Sequence, residues 1–481
     1  MSLIQQTEEE GTFRDNLSTI HKDGSRNWIY VQKPSGRYYN GRTAVSIVLL
    51  AFLFLAPFVR VGGQPLMLLN FIERKFVLFS IPFWPQDFYL VVLLVLTVLV
   101  SFVLFTAVFG RIWCGWLCPQ TIFLEMLFRK IEYVIEGNAT KQKVLDAAPL
   151  SGEKLFKKGL KHIVFYSLSF IIANTFLAYI IGSDQLFTIV TDPINKHIVG
   201  FSTITIFSFV FYAVFARFRE QACVVVCPYG RYMSSLVDED TIAVTYDFTR
   251  GEPRKKFSKE DKLQQQGLSV QPSAAPRGDC IDCHQCVNVC PTGIDIRNGI
   301  QLECVNCTAC MDACDSIMTK IHKPKGLIRY TSFNAVKDGI CHKVKPRIYA
   351  YSVVLLLLFI TVSYLFINRP DLDVLILRQP GTMYQKTGTG EYVNFYVFQG
   401  INKTYNDLPV EIQLISPEQG KITPLGILSP IKHQTNKEIR FILTLPKNQL
   451  HASKTKVKFA VISNGKTMKE IESSFVSPEK P

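Results

Sequence analysis

From Asp279 to Pro291 the chain reads Asp-Cys-Ile-Asp-Cys-His-Gln-Cys-Val-Asn-Val-Cys-Pro, and from Cys304 to Cys314 it reads Cys-Val-Asn-Cys-Thr-Ala-Cys-Met-Asp-Ala-Cys. Cys280, Cys283, Cys286 and Cys290 follow the spacing C-x2-C-x2-C-x3-C, and Cys304, Cys307, Cys310 and Cys314 repeat it. In that spacing three close thiolates hold three irons of one cubane, and the fourth reaches across to the other cluster. Two [4Fe-4S] clusters are therefore expected, one on Cys280, Cys283, Cys286 and Cys314, the other on Cys304, Cys307, Cys310 and Cys290. Zinc knuckles also use C-x2-C pairs, but the doubled continuation argues against them. The second run ends Cys314–Asp315 rather than Cys–Pro, which removes no ligand. Cys280 to His284 also spells the C-x-x-C-H of covalent haem; attachment would consume two cluster thiols, so the cluster reading prevails.

Outward from these runs the chain turns apolar. Of 481 residues, 48% are hydrophobic and 19% charged, which excludes a mainly disordered protein. Thr43–Val59, Phe88–Phe109, Ile163–Ile181, Ile198–Ala216 and Tyr349–Ile367 contain no Lys, Arg, Asp or Glu. Each is long enough to cross a hydrocarbon core of about 30 Å as a helix. The formal charge of +14 lies in the loops, so lipid, not nucleic acid, is the expected partner. No signal peptide is evident, and the first apolar run reads as an uncleaved span.

Lys and Arg number 6 before the first run, 9 in Gly110–His162 and 19 in Arg217–Arg347, against 3 and 1 in the short loops between. The positive-inside rule then puts residues 1–42 and 217–347 in the cytoplasm and the tail outside. The expected order is a cytoplasmic segment (1–42), four spans with a cytoplasmic loop (43–216), a cytoplasmic segment (217–347) holding the ferredoxin-like domain at about 275–320, a fifth span (348–367) and a periplasmic domain (368–481). The tail alternates apolar and polar residues in short runs, among them Tyr392–Phe398, Ile439–Leu445 and Val457–Ile462, separated by turns such as Asn464–Gly465. That pattern predicts an antiparallel immunoglobulin-like sandwich without a disulfide, since the tail has no Cys. The fold class is thus multi-domain: a five-helix membrane domain, an inserted α+β dicluster ferredoxin-like domain and an all-β C-terminal sandwich.

A second cysteine pattern follows two of the spans. Cys114-Gly-Trp-Leu-Cys118-Pro and Cys223-Val-Val-Val-Cys227-Pro are both C-x3-C-P, and both emerge on the same expected face. In a helix the i,i+4 spacing puts both sulfurs of a pair on one side, with the Pro stopping the turn. Four soft sulfurs brought together favour Cu(I), with Met126 and Met233 as further thioethers. Cys114, Cys118, Cys223 and Cys227 are accordingly candidate copper ligands and redox-active residues; thiol–disulfide exchange and plain apolar packing are the alternatives. Cys341 belongs to neither pattern and reads as packing. Arg217, Arg219 and Glu220 read as ordinary flanking charge. No dinucleotide fingerprint or hydrolase triad is present, so electrons are expected from a separate cytoplasmic donor.

The runs Trp113–Gln120, Arg219–Tyr229, Arg250–Pro253, Asp279–Asp295 and Lys325–Tyr330 resemble the cytochrome c oxidase accessory proteins of the CcoG/FixG type, over most of the chain from Gly41 to Tyr330. The resemblance implies a bacterial inner-membrane protein that reduces Cu(II) to Cu(I), with copper as a transient guest, for assembly of cbb3-type oxidase. It makes the eight Cys of the ferredoxin runs cluster ligands and implicates the C-x3-C-P cysteines in copper handling. A copper transporter or chaperone and the oxidase assembly machinery would be partners. Two further readings stay open: an electron-transfer subunit of a quinol-linked respiratory chain, and an assembly scaffold whose clusters are structural.

Overall fold

The computed structural model describes residues 18–20, 23, 25–71, 75–84, 87–256, 278–339, 345–388, 390–404, 406–426, 430–433, 435–450 and 452–478; Cys341 lies outside them. Among these, five helices are long and apolar enough to cross a membrane: Arg37–Leu55, Phe88–Phe109, Gly152–Ile181, Ile198–Phe218 and Pro346–Ile367. Their outward faces are Leu, Val, Ile and Phe, and Pro346–Ile367 buries none of its residues. Such contiguous apolar surface is stable in lipid and not in water.

Three of these helices begin earlier than the charge-free runs that announce them, the fifth at Pro346 and two others by more. The first starts at Arg37, where the Asp312 carboxylate accepts from the backbone N–H groups of Tyr38 and Tyr39 at 3.3 and 2.8 Å. An acid at that position satisfies orphan donors and the positive end of the helix dipole. The third starts at Gly152, where the Ser151 hydroxyl accepts from Lys154 N–H at 3.3 Å. At 30 residues it is about 45 Å long, so its first turns, carrying Lys154, Lys157, Lys158 and Lys161, extend past the hydrocarbon.

The cluster-bearing insert is closed by an antiparallel strand pair, Ala243–Tyr246 with Ile328–Thr331, in the register Ala243↔Thr331 to Tyr246↔Ile328. Between the strands lie the short helix Gln285–Asn288 and the helix Ala309–Lys320. Val244, Tyr246, Ile296, Met311, Met318 and Leu327 form its core together with Cys280 and Cys286. The strands Ala243–Tyr246 and Ile328–Thr331 share a core with the helix Ala309–Lys320, so the folded insert reaches beyond the cysteine runs on both sides.

The tail is a second compact unit, residues 363–481 with the short loops 62–64 and 80–82. One antiparallel sheet runs Lys421–Pro424, Asn436–Leu445, Tyr392–Asn402, Leu372–Arg378, with Gln385–Lys386 beside Tyr392–Asn402; the other runs Glu411–Ser416, Lys454–Ser463, Lys466–Val476. Tyr396, Phe398, Phe441, Phe459 and Phe475 are fully buried between them. Tyr396 stacks on Phe441 at 5.5 Å and its hydroxyl donates to the Ser474 carbonyl at 2.9 Å. This is the sandwich that the alternation predicts.

Candidate metal centres and thiol cavity

Both ferredoxin runs fold into the same backbone device. Asp282 and His284 in the first have φ of 51° and 54°; Asn306 and Thr308, at the same positions of the second, have φ of 52° and 65°. Left-handed conformations are costly for side-chain-bearing residues. Their repetition on either side of Cys283 and Cys307 turns successive N–H groups inward, the nest geometry that receives anions and Fe–S sulfides. Each run then enters a helix, Gln285–Asn288 after the first and Ala309–Lys320 after the second.

The thiols gather in two cavities. One is lined by Cys280, Cys283, Cys286 and Cys314, the other by Cys290, Cys304, Cys307 and Cys310, and Cys286 lines both. Cys290 and Cys314 each stand with the three close cysteines of the opposite run, the crossed arrangement that the spacing implies. Burial pushes Cys286 and Cys304 up to about 12 and Cys307 up to about 11, and raises Cys310 and Cys314 as well. Four thiols per cavity, apolar walls and inward amides are the donor set of a [4Fe-4S] cluster, whose iron displaces the thiol protons on binding. Cys283 is the exposed thiol of the first set.

The two C-x3-C-P segments are built alike, and differently from a continuous helix. Each span ends on a left-handed residue, Gly110 (φ 58°) or Arg219 (φ 53°). A short helical segment follows, carrying Cys114 in one and Cys223 in the other. Cys118 and Cys227 then turn extended, with ψ of 124° and 116°, and their N–H groups reach back five residues to Trp113 and Ala222 carbonyls at 3.0 and 2.8 Å. Pro119 and Pro228 begin the next helices. Proline here starts a helix, where its missing N–H costs nothing, instead of stopping one.

Cys114, Cys118, Cys223 and Cys227 line a single cavity of about 440 Å³ with Leu99, Phe102, Trp113, Gln120, Tyr229 and Tyr232 among its walls. Phe102 meets Trp113 edge-on at 4.6 Å, and Tyr229 pairs with Thr106 at 2.8 Å. Burial pushes Cys114 up to about 11 and Cys223 up to about 12, so both are neutral thiols at pH 7 until a metal displaces their protons. Among the described residues no group of three or more His, Cys, Asp or Glu stands at single-ion spacing. Met126 is buried against Thr43, its sulfur 3.8 Å from the hydroxyl, and does not line the cavity; the Met233 side chain lies outside the described residues.

The thiol cavity and the second cluster loop touch. Cys114 packs with Val289, Val305, Cys307 and Ala309 in one apolar group. A Cβ at Gly115 would stand 2.5 Å from the Val305 carbonyl oxygen and 2.9 Å from Cys307 Cα, so only glycine permits this approach. Arg42, from the first span, donates through Nε to the Gly115 carbonyl at 2.6 Å.

Arg219 and Glu220 depart from their sequence reading. They are 4% and 2% exposed and sit in a buried ion network. Arg219 grips Glu132 with two bonds of 2.7 and 3.0 Å, Arg129 pairs with Glu125 and with Glu220 at 3.3 Å, and Lys161 pairs with Glu136 at 3.0 Å. Arg26 joins Glu220 at 3.0 Å, and the Trp28 ring lies 4.5 Å from Arg26 and 4.9 Å from Arg219. Arg129 also donates to the Pro291 carbonyl, next to Cys290, at 3.4 Å. Burial alone would raise the Glu132 carboxyl, but Arg219, Lys161 and Arg129 hold it below the usual carboxylate range. The sequence shows these charges at the ends of spans, where flanking charge is common; only the pairing of four separate segments reveals them as interior.

Comparison with known proteins adds three matches to family models: a 4Fe-4S dicluster domain over residues 218–333, a 4Fe-4S binding domain over 91–135, and the IG-like fold at the C-terminus of FixG over 362–478. The nitrogen fixation protein FixG of Rhizobium meliloti is 34% identical over 64% of this chain and 58% of its own length. Protein RdxA of Cereibacter sphaeroides is 32% identical over 79% of this chain and 80% of its own, and RdxB of the same organism 33% identical over 78% and 79%. The solved FixG-related protein from Vibrio parahaemolyticus aligns with 22% of this chain and 97% of its own at 17% identity, with a TM-score of 0.18.

Proposed function

Since the chain belongs to the FixG/RdxA family of membrane-bound iron–sulfur electron-transfer proteins, we propose that it is a cupric reductase, delivering single electrons to Cu(II) at the Cys114, Cys118, Cys223 and Cys227 cavity. The observation that carries this reading is the approach of Gly115, the residue after Cys114, to the Cys307 backbone, with Cys114 and Cys307 in one buried apolar group. The loop that carries one of the four cavity thiols thereby lies against the loop that carries a thiol of the ferredoxin runs. Bound clusters supply reversible one-electron storage. The chain does the rest. Cys280, Cys283, Cys286 and Cys314, and Cys290, Cys304, Cys307 and Cys310, hold the two centres; Gly115 lets the loops meet; and the cavity thiols take the copper.

Cu(II) entering the cavity gains one electron and leaves as Cu(I). Thiols favour that product because sulfur is soft and Cu(I) is the softer ion. The apolar walls of Leu99, Phe102 and Trp113 limit water around the ion, which strengthens each thiol–metal contact. The distribution of Lys and Arg supports an inner-membrane orientation with the cluster insert in the cytoplasm and the tail in the periplasm. A cytoplasmic electron donor would meet the exposed Cys283. A copper transporter or chaperone would supply the ion, and cbb3-type oxidase assembly would use it.

The decisive experiment mixes anaerobically reduced full-length protein with Cu(II) and traps Cu(I) with a chelator. Cys114→Ser and Cys223→Ser should abolish Cu(I) formation while iron content and cluster spectra stay unchanged; undiminished reduction in both variants rejects the reading. One observation favours a second reading. The cavity walls beside the span are mostly apolar, with Arg111 and Thr121 among them, and the Gln120 side-chain nitrogen is buried without a partner. A membrane quinol, with a flat ring and an oxygen to accept from Gln120, suits such a site. Rapid cluster reduction by quinol alone, in place of Cu(II) turnover, selects it.

A further inference from the structure

Two arginines near the second cluster loop are buried without an ion pair; Glu303, next to Cys304, lines a cavity with Arg111 but is not bonded to it. Arg42 is 2% exposed, donates through Nε to the Gly115 carbonyl, and leaves one terminal nitrogen buried without a partner. Arg111 is 6% exposed and donates to the Leu302 carbonyl, two residues before Cys304. Among the described residues neither forms an ion pair. An isolated buried guanidinium is costly, and its ordinary remedy is an anion close by. Arg42 holds the Gly115 carbonyl beside the Cys307 backbone, and Arg111 lines one cavity with Cys304 and the thiol cavity with Cys114. A cubane with four thiolates is such an anion, and it gains one more negative charge on reduction.

The first cluster loop is arranged in the opposite way. Its buried cation, Arg297, is bound by Asp282 at 2.6 Å and by Asp295 at 2.6 and 2.8 Å. Asp315, next to Cys314, adds a further carboxylate. Arg254 pairs with Glu252, and Arg250 and Lys323 share Asp279 beside Cys280, so the charge around this set is close to balanced. Glu125 is the carboxylate that faces Cys307, and Arg129 neutralises it. Asp312, between Cys310 and Cys314, is taken up by the backbone of the first span. Water at Cys283 also stabilises a reduced cluster, but solvent screens charge at a dielectric near 80, whereas the arginines act in a buried site.

We propose that Arg42 and Arg111 set the direction of electron flow, making the centre held by Cys290, Cys304, Cys307 and Cys310 the more readily reduced of the two. An electron supplied at the Cys283 edge by a low-potential one-electron carrier then passes inward. The first centre is oxidised by one electron, the second is reduced by it, and no proton moves. The electron comes to rest against Cys114. The proposal rests on the two-cluster reading and holds whether the final acceptor is copper or another oxidant.

The test is an anaerobic redox titration of full-length protein in detergent, followed by electron paramagnetic resonance. Wild type should show two reduction waves. Arg42→Gln should move the upper wave down by at least about 59 mV, a tenfold change in one-electron partition, and leave the lower wave in place. Arg42→Lys, which keeps the charge, should restore most of the shift; Arg111→Gln should repeat the loss and serves if Arg42→Gln does not load iron. Movement of the lower wave instead, or no movement in either glutamine variant, or an equal fall in Arg42→Lys, overturns the proposal. Iron and sulfide of about eight each per chain in the wild type are checked separately. A shortfall there rejects the cluster reading itself, whereas full loading with unmoved waves rejects only the role of the arginines.

Discussion

Gly115 and Cys307 are in backbone contact: a Cβ on Gly115 would come within 2.9 Å of Cys307 Cα and 2.5 Å of the Val305 oxygen. The first residue after Cys114 is thus the place where the membrane-edge thiols and the second cluster loop are held together. Cys114 itself belongs to the same buried apolar group as Val305 and Cys307.

Gly115→Ala should therefore separate the two loops. Overpacking of this kind costs about 1–3 kcal/mol, which lowers stability without unfolding the insert. Both clusters should remain by iron analysis and spectroscopy, while reoxidation of the reduced protein by Cu(II), followed by stopped-flow absorbance, should slow. Equal rates in variant and wild type would show that the electron leaves by another route.

The crossed ligand sets make a prediction that chain order does not. Cys290 lies in the first run but lines the cavity of Cys304, Cys307 and Cys310. Cys290→Ala should remove the same spectroscopic signal as Cys304→Ala and spare the signal lost in Cys280→Ala. Cys314→Ala should pair with Cys280→Ala. Iron content in each should fall by about half. A Cys290 variant that loses the signal belonging to Cys280 would mean uncrossed ligation.

Much of this architecture is legible from residue spacing. The ferredoxin runs state their pairing because ligand geometry fixes the intervals, and the tail states its sheets because Tyr392–Phe398 and Ile439–Leu445 alternate cleanly. The strand Lys421–Pro424 is not legible: only Ile422 faces inward, too little to form a pattern. Arg37–Arg42 and Lys154–Lys161 hide the true starts of two spans because composition marks where lipid begins, while caps such as Asp312 and Ser151 decide where a helix begins. Cys118 and Cys227 were expected inside helices, but proline after them favours an extended residue before it. Arg42, Arg111 and the Glu132–Arg219 pair were invisible for one shared reason: a charge beside an apolar run looks alike in sequence whether it faces water or another chain segment.

The tail's core predicts a confined defect. Phe441 is fully buried, stacked on Tyr396 and edge-on to Phe459 at 5.5 Å. Phe441→Ala should cost about 3–5 kcal/mol in the sandwich, read as greater protease sensitivity of the tail. Because the cluster ligands all lie in the other compact unit, iron content and cluster spectra should be unchanged; joint loss of both would show that the tail is needed for cluster loading.

Acid should act through Glu132. Its carboxyl is held below the usual range in the folded protein, whereas an unfolded glutamate titrates near about 4.3. A depressed carboxyl contributes stability that is present above the unfolded value and is lost as pH falls through the folded one. Thermal unfolding in detergent should therefore weaken on acidification below about pH 4.3, as Glu132 releases Arg219. Arg219→Met leaves the carboxylate buried with weaker partners, Lys161 at 3.6 Å among them. Breaking a buried pair from one side costs about 3–5 kcal/mol, and the variant should lose part of the acid sensitivity along with its stability at pH 7. Replacing both partners, as Glu132→Leu with Arg219→Met, should recover much of the loss, because two apolar side chains leave no charge unpaired. If the double variant is no more stable than Arg219→Met alone, the arginine matters for its left-handed turn at the end of the fourth span and not for its charge.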